Sequence, residues 1–112
     1  MKKNQLVAEL YIDEILLGTL YLEVTDLAMG ALSGILIPGE NYQRFKNEFQ
    51  QITESKGLVN SDDFNLNVRI ENNLKMEPEG GIALYDFKKF DEIQVDVAGL
   101  DSDVISKYFQ VD

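Results

Sequence analysis

Apolar and polar positions alternate with a period of two from the start of the chain. Leu6, Ala8, Leu10 and Ile12 share one parity, with Val7, Glu9 and Tyr11 between them, and that spacing predicts a strand with one face toward a core. After Asp13-Glu14 a second strand is expected over Ile15 to Thr25. Leu16, Leu20, Leu22 and Val24 form its core face, and Gly18 stands where a bulge or a close backbone approach would use it. The two strands read as a hairpin. A third apolar run, Ala31 to Ile37, closes at Pro38-Gly39, where a backbone donor is lost and the chain can turn sharply. Its runs of apolar residues predict burial on both faces.

The period then changes. Tyr42, Phe45, Phe49 and Ile52 recur at spacings of three and four, opposite Gln43, Lys46, Asn47, Glu48 and Gln50, as an amphipathic helix requires. Asn41 is the expected N-cap and Gly57 the expected stop. Beyond the polar loop Asn60-Ser61-Asp62-Asp63, alternation returns with Phe64, Leu66, Val68 and Ile70 inward and Asn65, Asn67, Arg69 and Glu71 outward. Pro78-Glu79-Gly80-Gly81 is a turn about which a hairpin is expected. Ile82 to Phe87 and Ile93 to Ala98 read as the last strands. A short helix capped by Asp101 or Ser102 should follow, with the stripe Val104, Ile105, Tyr108 and Phe109. Grouped strands favour an α+β domain over a parallel α/β sheet. The expectation is therefore a mainly antiparallel sheet of about six strands in the order βββαββ(β)α, with one amphipathic helix packed on it and a short C-terminal helix.

Composition narrows the chemistry. The chain has 112 residues, 45% of them apolar, which suits one domain over residues 1–112 with a single core. With no Cys and no His it has no thiolate or imidazole ligand, no disulfide, no Cys nucleophile and no general base of near-neutral pKa. No cofactor and no metal is expected. Met1-Lys2-Lys3 imitates the start of an export signal, but Glu9 and Asp13 break the apolar stretch that follows, so the expectation is a cytoplasmic protein outside the membrane. The glycines at 30, 34 and 39 lack the Gly-Lys-Ser/Thr ending of a phosphate loop, and tight strand packing accounts for them better.

Charge is the unusual property. Twenty acidic residues against 10 basic ones leave a net charge of −10, which opposes nucleic acid and favours a cationic protein. Asp62-Asp63, Asp91-Glu92 and Asp101-Ser102-Asp103 are the carboxylate pairs available for acid and base work. So acidic a composition produces such pairs without catalysis, and the third suits helix capping; no enzymatic activity is expected.

Leu16-Leu17-Gly18-Thr19-Leu20, Gly34-Ile35-Leu36-Ile37-Pro38 and Tyr42 have the look of an uncharacterised bacterial family with no activity attached. A short acidic domain of mixed strands and helices, without catalytic side chains of the usual kinds, resembles in type the small immunity proteins of bacterial contact-dependent and polymorphic toxin systems. The resemblance implies a stoichiometric inhibitor, monomeric or weakly dimeric, that blocks a cognate basic toxin domain such as a nuclease. Local acid density then selects Asp86, Asp91, Glu92, Asp96, Asp101 and Asp103 as the contact surface, with Tyr85 or Tyr108 as anchors. Two other classes stay open: a scaffolding or self-associating module that pairs through an exposed strand edge, and a small enzyme working with carboxylates, Tyr or Lys alone.

Overall fold

In the computed structural model, which describes residues 4–109, the chain forms one sheet of eight strands curved into a half-barrel. The strands are β1 (Gln5–Ile12), β2 (Ile15–Asp26), β3 (Ala31–Pro38), β4 (Val59–Asn60), β5 (Leu66–Ile70), β6 (Leu74–Lys75), β7 (Gly81–Tyr85) and β8 (Ile93–Ala98). They lie side by side as β4-β7-β8-β3-β2-β1-β5-β6, and every pairing is antiparallel. The helices are α1 (Lys46–Lys56), α2 (Ser61–Phe64) and α3 (Ser102–Tyr108). The α+β class and antiparallel sheet agree with the sequence; the count of about six strands does not. The two additional strands, β4 and β6, have two residues each and form the sheet's edges, too short to leave a period of two.

The hairpin expected at Pro78–Gly81 is absent. A turn does form there, with the Gly81 N–H donating to the Pro78 carbonyl at 3.1 Å, but the strands on its two sides do not pair. Instead β6 folds back on β5, where Asn73 takes φ 60°, while β7 lies between β4 and β8. The turn carries the chain across the sheet, and Glu79 and Gly80 donate to the Gly99 and Ala98 carbonyls at 3.2 and 2.9 Å. Met1-Lys2-Lys3 lies outside the described residues.

Three facial assignments change. A bulge in β2 shifts its register between Leu10 and Tyr11, so Leu17 is buried and Leu16 turns outward. In β3, Leu32 and Leu36 are buried but Ile37 is 55% exposed, because its parity turns it to the outer face. Arg69, expected on a solvated face, is 4% exposed. Its guanidinium lies 4.0 Å from the Tyr11 ring, donates to Asn67 Oδ1, Asn73 Oδ1 and the Asp13 carbonyl, and pairs with Glu14 at 3.0 Å.

The concave face holds the core. Leu10, Leu20, Leu22, Leu36, Val68, Leu84, Val95 and Val97 meet Tyr42, Phe49, Ile105 and Phe109 there. Tyr42, Phe45 and Phe49 are core, as their helical spacing indicated, but Tyr42 sits in a 3-10 turn, Glu40–Arg44, that precedes α1. Asn41 does not cap that helix; its amide donates to the Leu16 carbonyl at 3.3 Å and ties the entry to β2. Gly57 ends α1 in the left-handed conformation at φ 93°, donating to the Thr53 carbonyl. At the other end of the chain Asp101 caps α3, its carboxylate accepting from the Asp103 N–H at 2.9 Å.

Candidate functional site

The convex face of the sheet leaves Val7, Tyr21 and Ile37 exposed, and its register sorts side chains into rows. Val7, Tyr21, Ile35, Gln94 and Tyr85 face one another across five strands as a largely apolar stripe. The adjacent row, Gln5, Glu23, Ser33, Asp96 and Ala83, is polar. The apolar row ends at Gln94 and Tyr85, next to the loop that joins β7 to β8.

At that loop the face deepens into a cavity of about 600 Å³ lined by Tyr85, Phe87, Phe90, Asp91, Glu92, Gln94 and Asp96. Strand parity explains the walls: Ile82 and Leu84 point into the core, so Ala83 and Tyr85 stand on the convex side, as do Gln94 and Asp96 of β8. Phe87 and Phe90 meet edge to face, their centroids 6.0 Å apart, and Phe90 is 58% exposed. Asp96 is fixed in orientation by Ser33 Oγ and Gln94 Nε2, which donate to its Oδ1 at 2.7 and 3.0 Å. Burial, and then the charge of Asp96 beside it, pushes the Tyr85 phenol above its ordinary range, so it stays protonated and neutral at physiological pH.

The loop is fastened to α1. The Asp86 N–H donates to Thr53 Oγ1 at 3.3 Å and the Lys88 N–H to Glu54 Oε1 at 3.2 Å. Asp86 is 3% exposed and accepts from Tyr42 Oη at 2.7 Å and from Gln50 Nε2 at 3.2 Å. It is therefore a structural carboxylate, and its assignment to a contact surface is corrected. Its parity with Ile82 and Leu84 directs it inward. Desolvation, reinforced by the hydrogen bond to Asp86, pushes the Tyr42 phenol far above its ordinary value of 10.0.

The other expected contact residues divide between the two ends of β8. Tyr85, Asp91, Glu92 and Asp96 share the cavity just described. Asp101 and Tyr108 line a different cavity, of about 810 Å³, beyond the far end of β8, and Asp103 lies in the first turn of α3. Sequence reasoning missed Phe87 and Phe90. The signal available was the parity of Phe87 with the outward Tyr85, and the position of Phe90 immediately before Asp91-Glu92.

No protein-family model, no curated protein and no solved structure matches this chain. The chemistry of the site carries the functional reading. Among the described residues no three acids gather in a metal-binding group, and no helix is long and apolar enough to cross a membrane. The β7–β8 cavity places aromatic side chains and carboxylates in one lining, two kinds of group that each interact favourably with cations.

Proposed function

We propose that the protein is a non-catalytic binding domain that neutralises a cationic protein partner in the cytoplasm. Its mode is that of a small immunity protein occluding a basic toxin domain, such as a nuclease, by stoichiometric association. One observation carries this reading: three carboxylates and three aromatic side chains line a single outward-facing cavity on a molecule of net charge −10. Protein interfaces draw most of their affinity from a few desolvated aromatic or charged anchors, while surrounding charge sets encounter rate. The β7–β8 loop supplies the anchors and the acidic surface the field.

Self-association through a strand edge has less to build on. The edge strands β4 and β6 have two residues each, and the β7 edge beyond β4 is partly capped where the Ile82 N–H donates to Ser61 Oγ at 3.1 Å. Such edges present little backbone for another chain to extend.

Co-expression tests the reading. The product of the gene immediately upstream should be toxic alone, harmless with this protein, and recovered with it as an equimolar complex on gel filtration. Replacing Asp91, Glu92 and Asp96 together by Asn, Gln and Asn should slow association at low salt by about tenfold or more without unfolding the domain. A harmless neighbour, or a mixture that never co-elutes, overturns the proposal.

A further inference from the structure

We propose that the cavity at the β7–β8 loop receives a guanidinium group, the side chain of an arginine presented by the cationic partner; the assignment rests on the binding-domain reading above. The two kinds of wall decide the chemistry. Tyr85, Phe87 and Phe90 supply ring surface, and Asp91, Glu92 and Asp96 supply anionic acceptors within the same lining. A guanidinium uses both at once, because it is planar and weakly hydrated, stacks on aromatic faces, and directs a fork of N–H donors in its own plane toward carboxylate oxygens. An ammonium group is a strongly hydrated point charge, which gains less from the rings and loses more water on entering between them.

One of the protein's own cations lies beside a ring of the cavity. The Lys89 ammonium lies 5.3 Å from the centroid of the Phe90 ring, within the range of a cation–π contact. The contact joins sequence neighbours, and Lys89 itself is not part of the cavity's lining. Elsewhere on the same convex face, Arg69 stacks on Tyr11 at 4.0 Å while pairing with Glu14 at 3.0 Å, so this fold already builds one guanidinium seat from a ring and a carboxylate. At Asp96 the acceptor is oriented in advance by Ser33 and Gln94, which favours a ligand with directional donors over a diffuse counter-ion.

The test titrates the isolated full-length protein with the blocked tripeptides acetyl-Gly-Arg-Gly-amide and acetyl-Gly-Lys-Gly-amide, followed by NMR at the aromatic and backbone resonances. The arginine peptide should give saturable shifts confined to Tyr85, Phe87, Phe90 and the β8 acids, with an affinity about tenfold above that of the lysine peptide. Phe90→Leu, which keeps apolar bulk and removes the π face, should weaken arginine binding by about fivefold or more. Lys89→Ala, which removes the ammonium beside the Phe90 ring, should tighten it by about two- to threefold, whereas Lys88→Ala, an equal change of charge one residue further from that ring, should have a smaller effect. Asp62→Asn in α2 is the control and should change nothing.

Equal, non-saturating shifts from both peptides spread over the acidic surface overturn the assignment, as does wild-type affinity in Phe90→Leu. These outcomes are separable from failure of the broader reading. If the upstream product forms a complex whose affinity Phe90→Leu leaves unchanged, the arginine assignment falls and the binding function stands; if no complex forms at all, the function falls.

Discussion

Asp86 carries a carboxylate into the interior because three groups meet it there: the Tyr42 hydroxyl, the Gln50 amide and, at its backbone N–H, Thr53. Replacing it by Ala strands the buried Tyr42 hydroxyl and the half-buried Gln50 amide, so Asp86→Ala should lose about 2–3 kcal/mol of stability in urea denaturation. A loss below about 0.5 kcal/mol would mean that the network is idle. Tyr42 gives the same network a pH signature. Its folded-state pKa is raised, so the associated stability is fully present below the ordinary tyrosine value of 10.0 and is lost as pH climbs above it. The urea midpoint should therefore fall above pH 10.0, and Tyr42→Phe should flatten that fall. Some slope should remain, since Tyr11 and Tyr85 are pushed in the same direction. The sequence contained the clue to Asp86 in its parity with Ile82 and Leu84, but acid density outweighed it. A charged residue continuing an apolar face has to be asked what would satisfy it, and here the answer came from a helix elsewhere in the chain.

At the scale of elements, periodicity located the long strands, the end of α1 at Gly57 and the cap of α3 at Asp101, because each is written in neighbouring residues. Pairing is not so written. That β8 lies beside β3, and that β6 returns to β5 instead of joining β7, depends on contacts between distant segments, so the turn at Pro78–Gly81 was legible and its connectivity was not. Facial assignment failed at β2 for a related reason, since the bulge opposite Leu10 and Tyr11 inverts parity at Leu17. The tight packing inferred for Gly34 is present: a Cβ there would fall on the Tyr21 carbonyl and against the Leu22 side chain. Gly34→Ala must therefore part β2 from β3 at the centre of the sheet. It should cost about 1–3 kcal/mol by chemical denaturation, and a neutral result would show that the two strands can yield.

For the whole molecule, the surplus of acids acts against its own compactness. The radius of gyration is 13.5 Å, shorter than the screening length of about 30 Å at 10 mM salt and longer than the value of about 10 Å at 0.1 M. Raising NaCl across that interval should relieve repulsion between acids and lift the thermal midpoint by about 2–5 °C in calorimetry. A flat profile would show that the charges are already balanced locally. The same screening should slow capture of a cationic partner, so stability and association rate should move in opposite directions with salt.

The fastening of the β7–β8 loop to α1 bears on what happens after such an encounter. Asp86 and Lys88 are held by Thr53 and Glu54, 33 and 34 residues upstream, so the aromatic rim is placed when the domain folds. The entropy lost in ordering that rim belongs to the folding reaction, and a guest meets a finished receptacle. In the proposed binding role, helix α1 would therefore act on residence time from behind the sheet, as a splint for a surface it does not form.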